Sequence, residues 1–547
     1  MPAATHEPPP RFSAKVLFGL LGAALLIRLP VLFDSVVDWD ESLYLLISDD
    51  LLDGVLPYGQ TWDHKPPVIF YVFAAAQLMF GGGVTAVRIL GVVGAGLGAY
   101  GIHQLLQLLW PRSKGAVTGA LAYLLLFAAI GGLATNTEVI FAAFVIGGTY
   151  AVLVGSASSE RAVLWWVLGG MAFGVGFGVK YVVGFDLLGF AALHLAFVWG
   201  HSGRGFGGAL GATLYAGAVV LASFVATLAL QLLPFLLSGR LDDVIAYTIT
   251  YNAQYTSTHI YSGALLQGFN AMLALSGAWI GALMLLFWPD GGLRDDARSS
   301  RIGGALFVWL LFDMVSVLVQ GRLFPHHCLQ LVPVLALLFG VFAGAVQERI
   351  AGHRRVAGAV TAAVLLVVLT LMGPVQELGW RGLRLLRNAV AGDLHRDDLP
   401  QRIAARIRSE LEPGDAIYVF NDHPVIYHLA GARVPTRFPF PLHLQNQSVA
   451  QGVGFDADAE IARILAERPR FIVVREDESV VGWRGYALLE HTLAESYDRV
   501  ACYPLYARGR TRPVDVVFRM EVSAGQLSLY ARRDGEAGLR ERPCAER

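Results

Sequence analysis

Apolar residues in this chain of 547 residues gather into long runs up to about residue 376 and then thin out to the density of an ordinary globular sequence. That division constrains the fold more than any motif, because a helix needs roughly 20 predominantly apolar residues to cross a hydrocarbon core about 30 Å thick. Eleven runs qualify or nearly so: 14–33, 84–109, 115–133, 138–155, 163–179, 181–199, 208–237, 263–288, 302–319, 327–347 and 355–376. Composition agrees, with 55% hydrophobic and 16% charged residues against about 45–50% and about 25% in soluble chains. A formal net charge of −1 leaves no basic field for a polyanion, which argues against nucleic acid as a partner. Cys328, Cys502 and Cys544, odd in number and far apart, announce neither a disulfide framework nor metal-ligand spacing. The expected fold class is therefore an α-helical polytopic membrane protein of about eleven spans, residues 1–376, followed by a soluble α/β domain over 377–547.

Orientation follows from where Lys and Arg collect. With a cytoplasmic N-terminus, inner loops hold Arg11, Lys15, Arg112, Lys114, Arg161, Arg204, Arg294, Arg298, Arg301, Arg349, Arg354 and Arg355, whereas outer loops hold only Lys65, Lys180, Arg240 and Arg322. This requires that Val68–Phe80, short of a span at about thirteen residues, be an interfacial or half-inserted helix rather than a crossing. Eleven spans then put the C-terminal domain outside, although Arg381, Arg384 and Arg387 pull the other way. The first run lacks a small-residue cleavage pattern and reads as a retained anchor. The expected location is the inner (plasma) membrane, multi-pass, with active site and C-terminal domain on the extracytoplasmic side.

In the second part the pattern predicts a helix over Leu399–Leu411, a strand over Ala416–Phe420, a helix over Asp458–Glu467, a buried strand over Phe471–Val474, a helix around Ala487–Tyr497 and a strand over Leu527–Ala531. The Pro- and aromatic-rich stretch Arg433–Pro441 reads as an ordered loop. Glycine clusters at Gly94–Gly98 and Gly174–Gly178 lie inside apolar spans, where small residues let helices approach, so they are read as packing rather than phosphate cradles.

Chemistry is carried by ionisable residues at the outer ends of the spans. The first outer loop, 34–67, holds Asp38, Asp40, Glu41 and Tyr44, then Tyr58, then Asp63, His64 and Lys65. Charged groups near a membrane are costly unless solvated, paired or used. From Asp40 onward Leu43, Leu46, Ile47 and Leu51 recur at helical spacing, so the acids stand at the start of an amphipathic helix, where capping is their bland role. Other outer turns bring Glu138, Lys180 and the cluster Arg322, His326, His327. Two carboxylates, two lysines, an arginine and two histidines at one depth give a pocket with a negative and a positive wall. Sugar transfer from a lipid phosphate needs both: a carboxylate takes the acceptor's proton while cations stabilise the departing phosphate. Tyr247, Tyr251, Asn252, Tyr255 and His259 could stack on and hydrogen-bond a sugar, or form an interfacial aromatic belt.

The run Asp40-Glu41…Tyr44…Gly54…Pro57-Tyr58…Trp62-Asp63-His64-Lys65-Pro66-Pro67, followed by Phe80-Gly81 and Arg88, resembles the first outer loop of bacterial GT-C membrane glycosyltransferases. These include the protein O-mannosyltransferase-like, aminoarabinose transferase-like and rhizobial galacturonosyltransferase-like groups. Thr135–Glu138, the glycine-rich span ending in Lys180, and Gly321-Arg322 through Pro333 extend the likeness over most of 14–376. The resemblance implies a GT-C fold and an inverting transfer from a polyprenyl-phosphate sugar to a lipid, glycan or protein acceptor on the outer face. It implies Asp40 as catalytic base, with Glu41 beside it and Glu138 arranging the site. It implies that Lys65 and Lys180 contact the lipid phosphate, with Arg322, His326 and His327 beside them; Tyr44, Tyr58, Asp63 and His64 of the matching loop, together with Tyr255 of the aromatic cluster, are expected to line the substrate. Many relatives have Tyr where this chain has His327. No cofactor is firmly expected; a divalent metal could be held by the oxygens of Asp38, Asp40 and Glu138, but the lysines already neutralise a monophosphate, so metal independence is the expectation.

Two other classes stay open on the residues alone. A secondary transporter also carries intramembrane charges, but near the midplane and on repeated halves; here they sit at span ends, without a visible repeat. A non-catalytic receptor would use 377–547 for binding and have no need of Asp40.

Overall fold

The structure, a computed structural model, describes residues 10–158, 161–201, 205–253, 264–287, 296–321, 323–351, 356–445, 450–451, 453–476, 484–505 and 525–533, with only part of the side chains over 356–376. Among the described residues eight helices are long and apolar enough to cross a membrane, and a bent pair adds a ninth candidate. In chain order the elements used below are α1 (Ala14–Arg28), α2 (Trp39–Leu52), α3 (Val68–Phe80), α4 (Val84–Leu109), α5 (Ala116–Ala129), α6 (Thr137–Ala157), α7 (Ala162–Val179), α8 (Val183–His201) and α9 (Phe206–Leu237). Further spans are Ala297–Val319 and Pro325–Ala351, and a helix of Val356–Val390 follows.

The chain forms two compact units that do not follow its order. One holds 1–30, 88–237 and 259–382; the other holds 31–87, 238–258 and 383–547. In the first, burial distinguishes centre from rim. The apolar window of Pro325–Ala351 is wholly buried, whereas that of α9 is 11% buried and leaves Leu214, Leu230 and Leu237 bare, as a lipid-facing helix does. The glycine clusters lie where helices touch: a Cβ on Gly96 would come within 2.6 Å of Leu21, and one on Gly174 within 2.8 Å of Thr227.

Two expected spans differ from their sequence patterns. The run 115–133 yields α5, only 14 residues long, because the chain turns at Gly131 (φ +93°), a conformation open to glycine. The run 263–288 breaks at Leu275 into Ala264–Ala274 and Ser276–Phe287, bent by 69°.

In the second unit four strands, β1 (Ile417–Phe420), β2 (Phe471–Glu476), β3 (Tyr497–Leu505) and β4 (Gly525–Arg532), lie in the order β1-β2-β4-β3, with β1 and β2 parallel and the other pairs antiparallel. Alternate residues face opposite sides, and both sides are covered. Tyr418, Phe420, Ile472 and Val474 pack with Trp62, Tyr251, Phe438 and Ile461; Ile417, Val419, Phe471 and Val473 pack with Leu46, Ile403, Ile407 and Tyr427. The loop 34–67 and residue 251 thus contribute to the core of the α/β unit. The predicted strand over Leu527–Ala531 is β4, and the predicted helices appear as Leu399–Arg408, Ala457–Ala466 and Arg484–Ser496. Sequence patterning gives no sign of β3, where Pro504 and a bulge between Arg499 and Ala501 are tolerated because it is an edge strand. Cys502 on β3 is disulfide-bonded, which the cysteine spacing does not announce, while the buried Cys328 is free.

Candidate active site

The start of α2 separates the roles of its three acids. Asp38 is the N-cap, its Oδ1 accepting from Asp40 N at 3.0 Å, and Glu41 Oε1 accepts from Val37 N at 2.6 Å and Asp38 N at 3.3 Å, completing a capping box. Asp40 is the acid the helix does not use for capping. Its Oδ2 accepts from Tyr44 Oη at 3.2 Å and lies 3.8 Å from Lys65 Nζ, and its side chain remains 25% exposed.

Lys65 is set by the residues before it. Its ammonium lies 3.0 Å from His64 Nε2, and His64 Nδ1 lies 3.0 Å from Asp63 Oδ1. The backbone is pinned as well: Tyr58 Oη donates to Lys65 O at 2.7 Å and Asn252 Nδ2 donates to His64 O at 3.0 Å. Burial pushes the Asp63 carboxyl upward, but the Lys65 charge and the adjoining His64 ring outweigh it and hold Asp63 well below the usual carboxylate range. Burial, then the Lys65 charge, lowers the His64 imidazole. A neutral ring protonated on Nδ1 then accepts from the ammonium at Nε2, so carboxylate, imidazole, ammonium and Asp40 form one chain of polar groups. Tyr44 and Tyr58 are almost wholly buried and serve as supports for Asp40 and Lys65. Tyr251 is likewise buried, its ring centroid 5.0 Å from that of Trp62. Tyr255, His259 and Arg322 lie outside the described residues.

His443 packs at 4.7 Å against Trp62 in the same unit, and burial, opposed by Asp63, lowers its imidazole to about 3. The unfolded chain binds that proton near the ordinary value of about 6.5, so the folded state loses stability as pH falls from about 6.5 toward 3. We expect the unit to lose about 2 kcal/mol between pH 7 and pH 5 through this residue, since each pH unit below 6.5 is worth about 1.4 kcal/mol. Melting curves of wild type and His443→Phe over that range check it: the variant should show a flatter pH dependence, and parallel curves would contradict the assignment.

In the first unit, Glu138 sits in the first turn of α6, 1% exposed, and Lys180 closes the end of α7. Lys180 Nζ donates to Glu138 Oε1 at 2.5 Å, and Thr137 Oγ1 donates to Oε2 at 3.0 Å. The His326 and His327 rings lie 4.7 Å apart, and a Cβ on Gly131 would meet His326 Cβ at 3.7 Å, which sets His326 beside the turn leading to Glu138. Sequence reasoning missed what holds that turn. Arg28, 4% exposed at the end of α1, donates to the carbonyls of Gly132, Leu133 and Ala134 at 2.5, 2.8 and 3.1 Å. The available signal was a single arginine inside an otherwise apolar run. Among the described residues no three His, Cys, Asp or Glu side chains converge as metal ligands.

Apolar spans, an α/β unit built around the loop 34–67, and carboxylates poised beside lysines define a polytopic membrane protein with the fold of the GT-C glycosyltransferases. Comparisons with known proteins agree. The family described as dolichyl-phosphate-mannose-protein mannosyltransferase matches residues 64–230. Undecaprenyl phosphate-alpha-4-amino-4-deoxy-L-arabinose arabinosyl transferase 2 of Pseudomonas fluorescens is 28% identical over 171 residues, covering 29% of this chain and 29% of that protein. The match therefore spans less than a third of that relative's length. The crystal structure of ArnT from Cupriavidus metallidurans bound to undecaprenyl phosphate is similar with a TM-score of 0.56 at 15% identity, covering 94% of this chain and 98% of that one. The Archaeoglobus fulgidus oligosaccharyltransferase tethered to an acceptor peptide gives 0.51 at 12% identity, covering 90% and 73%. At these identities the structural likeness is one of fold. The expected resemblance and the helical membrane fold class both hold.

Proposed function

We propose that the chain is an inverting glycosyltransferase that moves a sugar from a polyprenyl-phosphate donor to an acceptor hydroxyl on the extracytoplasmic side of the inner membrane. The observation that carries this reading is Asp40, excused from capping by Asp38 and Glu41, a quarter exposed, and flanked by Tyr44 and Lys65. A carboxylate so placed takes the acceptor proton as the acceptor oxygen bonds to the anomeric carbon. The bond from that carbon to the phosphate oxygen breaks, and its electron pair leaves with the phosphate. Lys65 supplies fixed positive charge without reorganisation during the step, and the reading gives the donor phosphate also to Lys180, His326 and His327, with Arg322 assigned by resemblance. Undecaprenyl phosphate in the crystal structure of ArnT and in the name of the Pseudomonas relative supports the donor class. The outer placement is supported by the Lys and Arg bias, and a disulfide-bonded Cys502 suits an oxidising compartment.

Incubating the purified protein with a panel of polyprenyl-phosphate sugars tests the reading. One donor should be consumed with release of the polyprenyl phosphate and formation of a product of inverted anomeric configuration. If no donor is consumed while solute crosses vesicles containing the protein, the reading gives way to a transporter.

A further inference from the structure

The two parallel strands of the α/β unit end side by side, β1 running into Asn421, Asp422 and His423 and β2 ending in Arg475 and Glu476. In open α/β sheets the crevice beyond the carboxyl ends of parallel strands is where ligands sit. Here the two exits are tied: Asn421 adopts a left-handed backbone (φ +60°) and its Nδ2 donates to Arg475 O at 3.2 Å. Asn is one of the few residues besides glycine that tolerate this conformation, and such strain concentrates at functional sites.

The residue packed on these exits is Trp39, immediately before Asp40. Its ring centroid lies 4.6 Å from that of His423, at an interplanar angle of 62°, and 6.1 Å from that of Phe440; the Arg475 guanidinium stands over the indole at 6.0 Å. Trp39, Asp40 and Arg475 are all half-buried rather than sealed in the core. The charges acting on His423 are Asp422, Arg475, Asp398 and Glu41. Three carboxylates against one guanidinium disfavour a second anion. They suit an uncharged, hydroxyl-rich ring, which stacks its C–H face on an indole and shares its hydroxyls among carboxylate, imidazole and guanidinium groups.

We propose that Trp39, His423 and Arg475 form the acceptor subsite and that the acceptor enters it as a neutral saccharide ring, one hydroxyl turned to Asp40. This rests on the transferase reading above and gives the α/β unit its part in it: it selects a glycan over a peptide hydroxyl.

Saturation-transfer NMR on the full chain in lipid nanodiscs tests the subsite, with methyl β-glucoside, methyl β-glucuronide and N-acetylserine methylamide as probes. The glucoside should bind wild type more tightly than either other probe. Its Kd should rise about tenfold in Trp39→Ala and in Arg475→Gln, the size of one lost aromatic or charged contact. Trp39→Phe, which keeps a ring in the core contact, should lie between and guards against a folding defect in the alanine variant. Unchanged glucoside affinity in Trp39→Ala and Arg475→Gln, or preference for the serine amide, would overturn the proposal. Donor consumption by the wild type separates the two readings: if it fails, the transferase assignment falls, whereas loss of glycoside selectivity with donor consumption intact removes only the subsite.

Discussion

Asp40→Asn should lower kcat for sugar transfer by about 10³-fold, within the range contributed by a positioned general base, and should leave the melting temperature close to that of wild type. The amide keeps an oxygen for the Tyr44 hydroxyl, and Lys65 retains its 3.0 Å contact with His64. The neighbouring acids should behave in the opposite way. Asp38→Ala removes the cap of α2 and should cost about 1 kcal/mol of stability, because its Oδ1 serves Asp40 N. Glu41→Gln retains an acceptor for Val37 N and should disturb the helix start less. Parallel measurement of donor turnover and thermal melting on the three variants checks the division of labour. Wild-type turnover in Asp40→Asn would remove it from the mechanism.

The second large effect is expected at Lys180. Its side chain is 12% exposed, that of Glu138 is 2% exposed, and the pair lies 2.5 Å apart. Lys180→Met leaves a buried carboxylate without its ammonium, a change worth about 3–5 kcal/mol because the desolvation cost of Glu138 is no longer offset. Combining it with Glu138→Gln removes the stranded charge and should recover most of the melting temperature. Donor affinity should not recover if the ammonium also holds phosphate, so the double variant separates a structural ion pair from a ligand-binding one. A Lys180→Met protein that melts like wild type would show that the pair contributes nothing to the fold.

Much of this architecture is legible in local pattern. Long apolar runs give the spans because length and hydropathy alone decide whether a helix suits lipid. The spacing of Asp38 and Glu41 is that of a capping box, and α2 begins at Trp39, one residue before the expected start. Phe471–Val474 reads as a buried strand because both its faces are covered. Other features arise between distant segments and leave no local trace. Nothing in the periodicity of 34–67 says that Trp62 and Leu46 pack against a sheet formed more than 350 residues later. Edge strand β3 carries the charged pair Asp498 and Arg499 near its start and a proline, and Arg28 declares its role only when the carbonyls it holds are seen. For the candidate site, the residue types at Asp40, Lys65, Glu138 and Lys180 were readable, whereas the partners that orient them were not.

An α/β unit assembled from 31–87, 238–258 and 383–547 sets an order on biogenesis. Leu46 and Trp62 emerge from the ribosome early, yet the clusters they join draw on all four strands, and β4 ends at Arg532. Through most of the synthesis that runs from them to β4 these side chains lack their final partners, so the first loop matures only after β4 is made and must be shielded from aggregation until then.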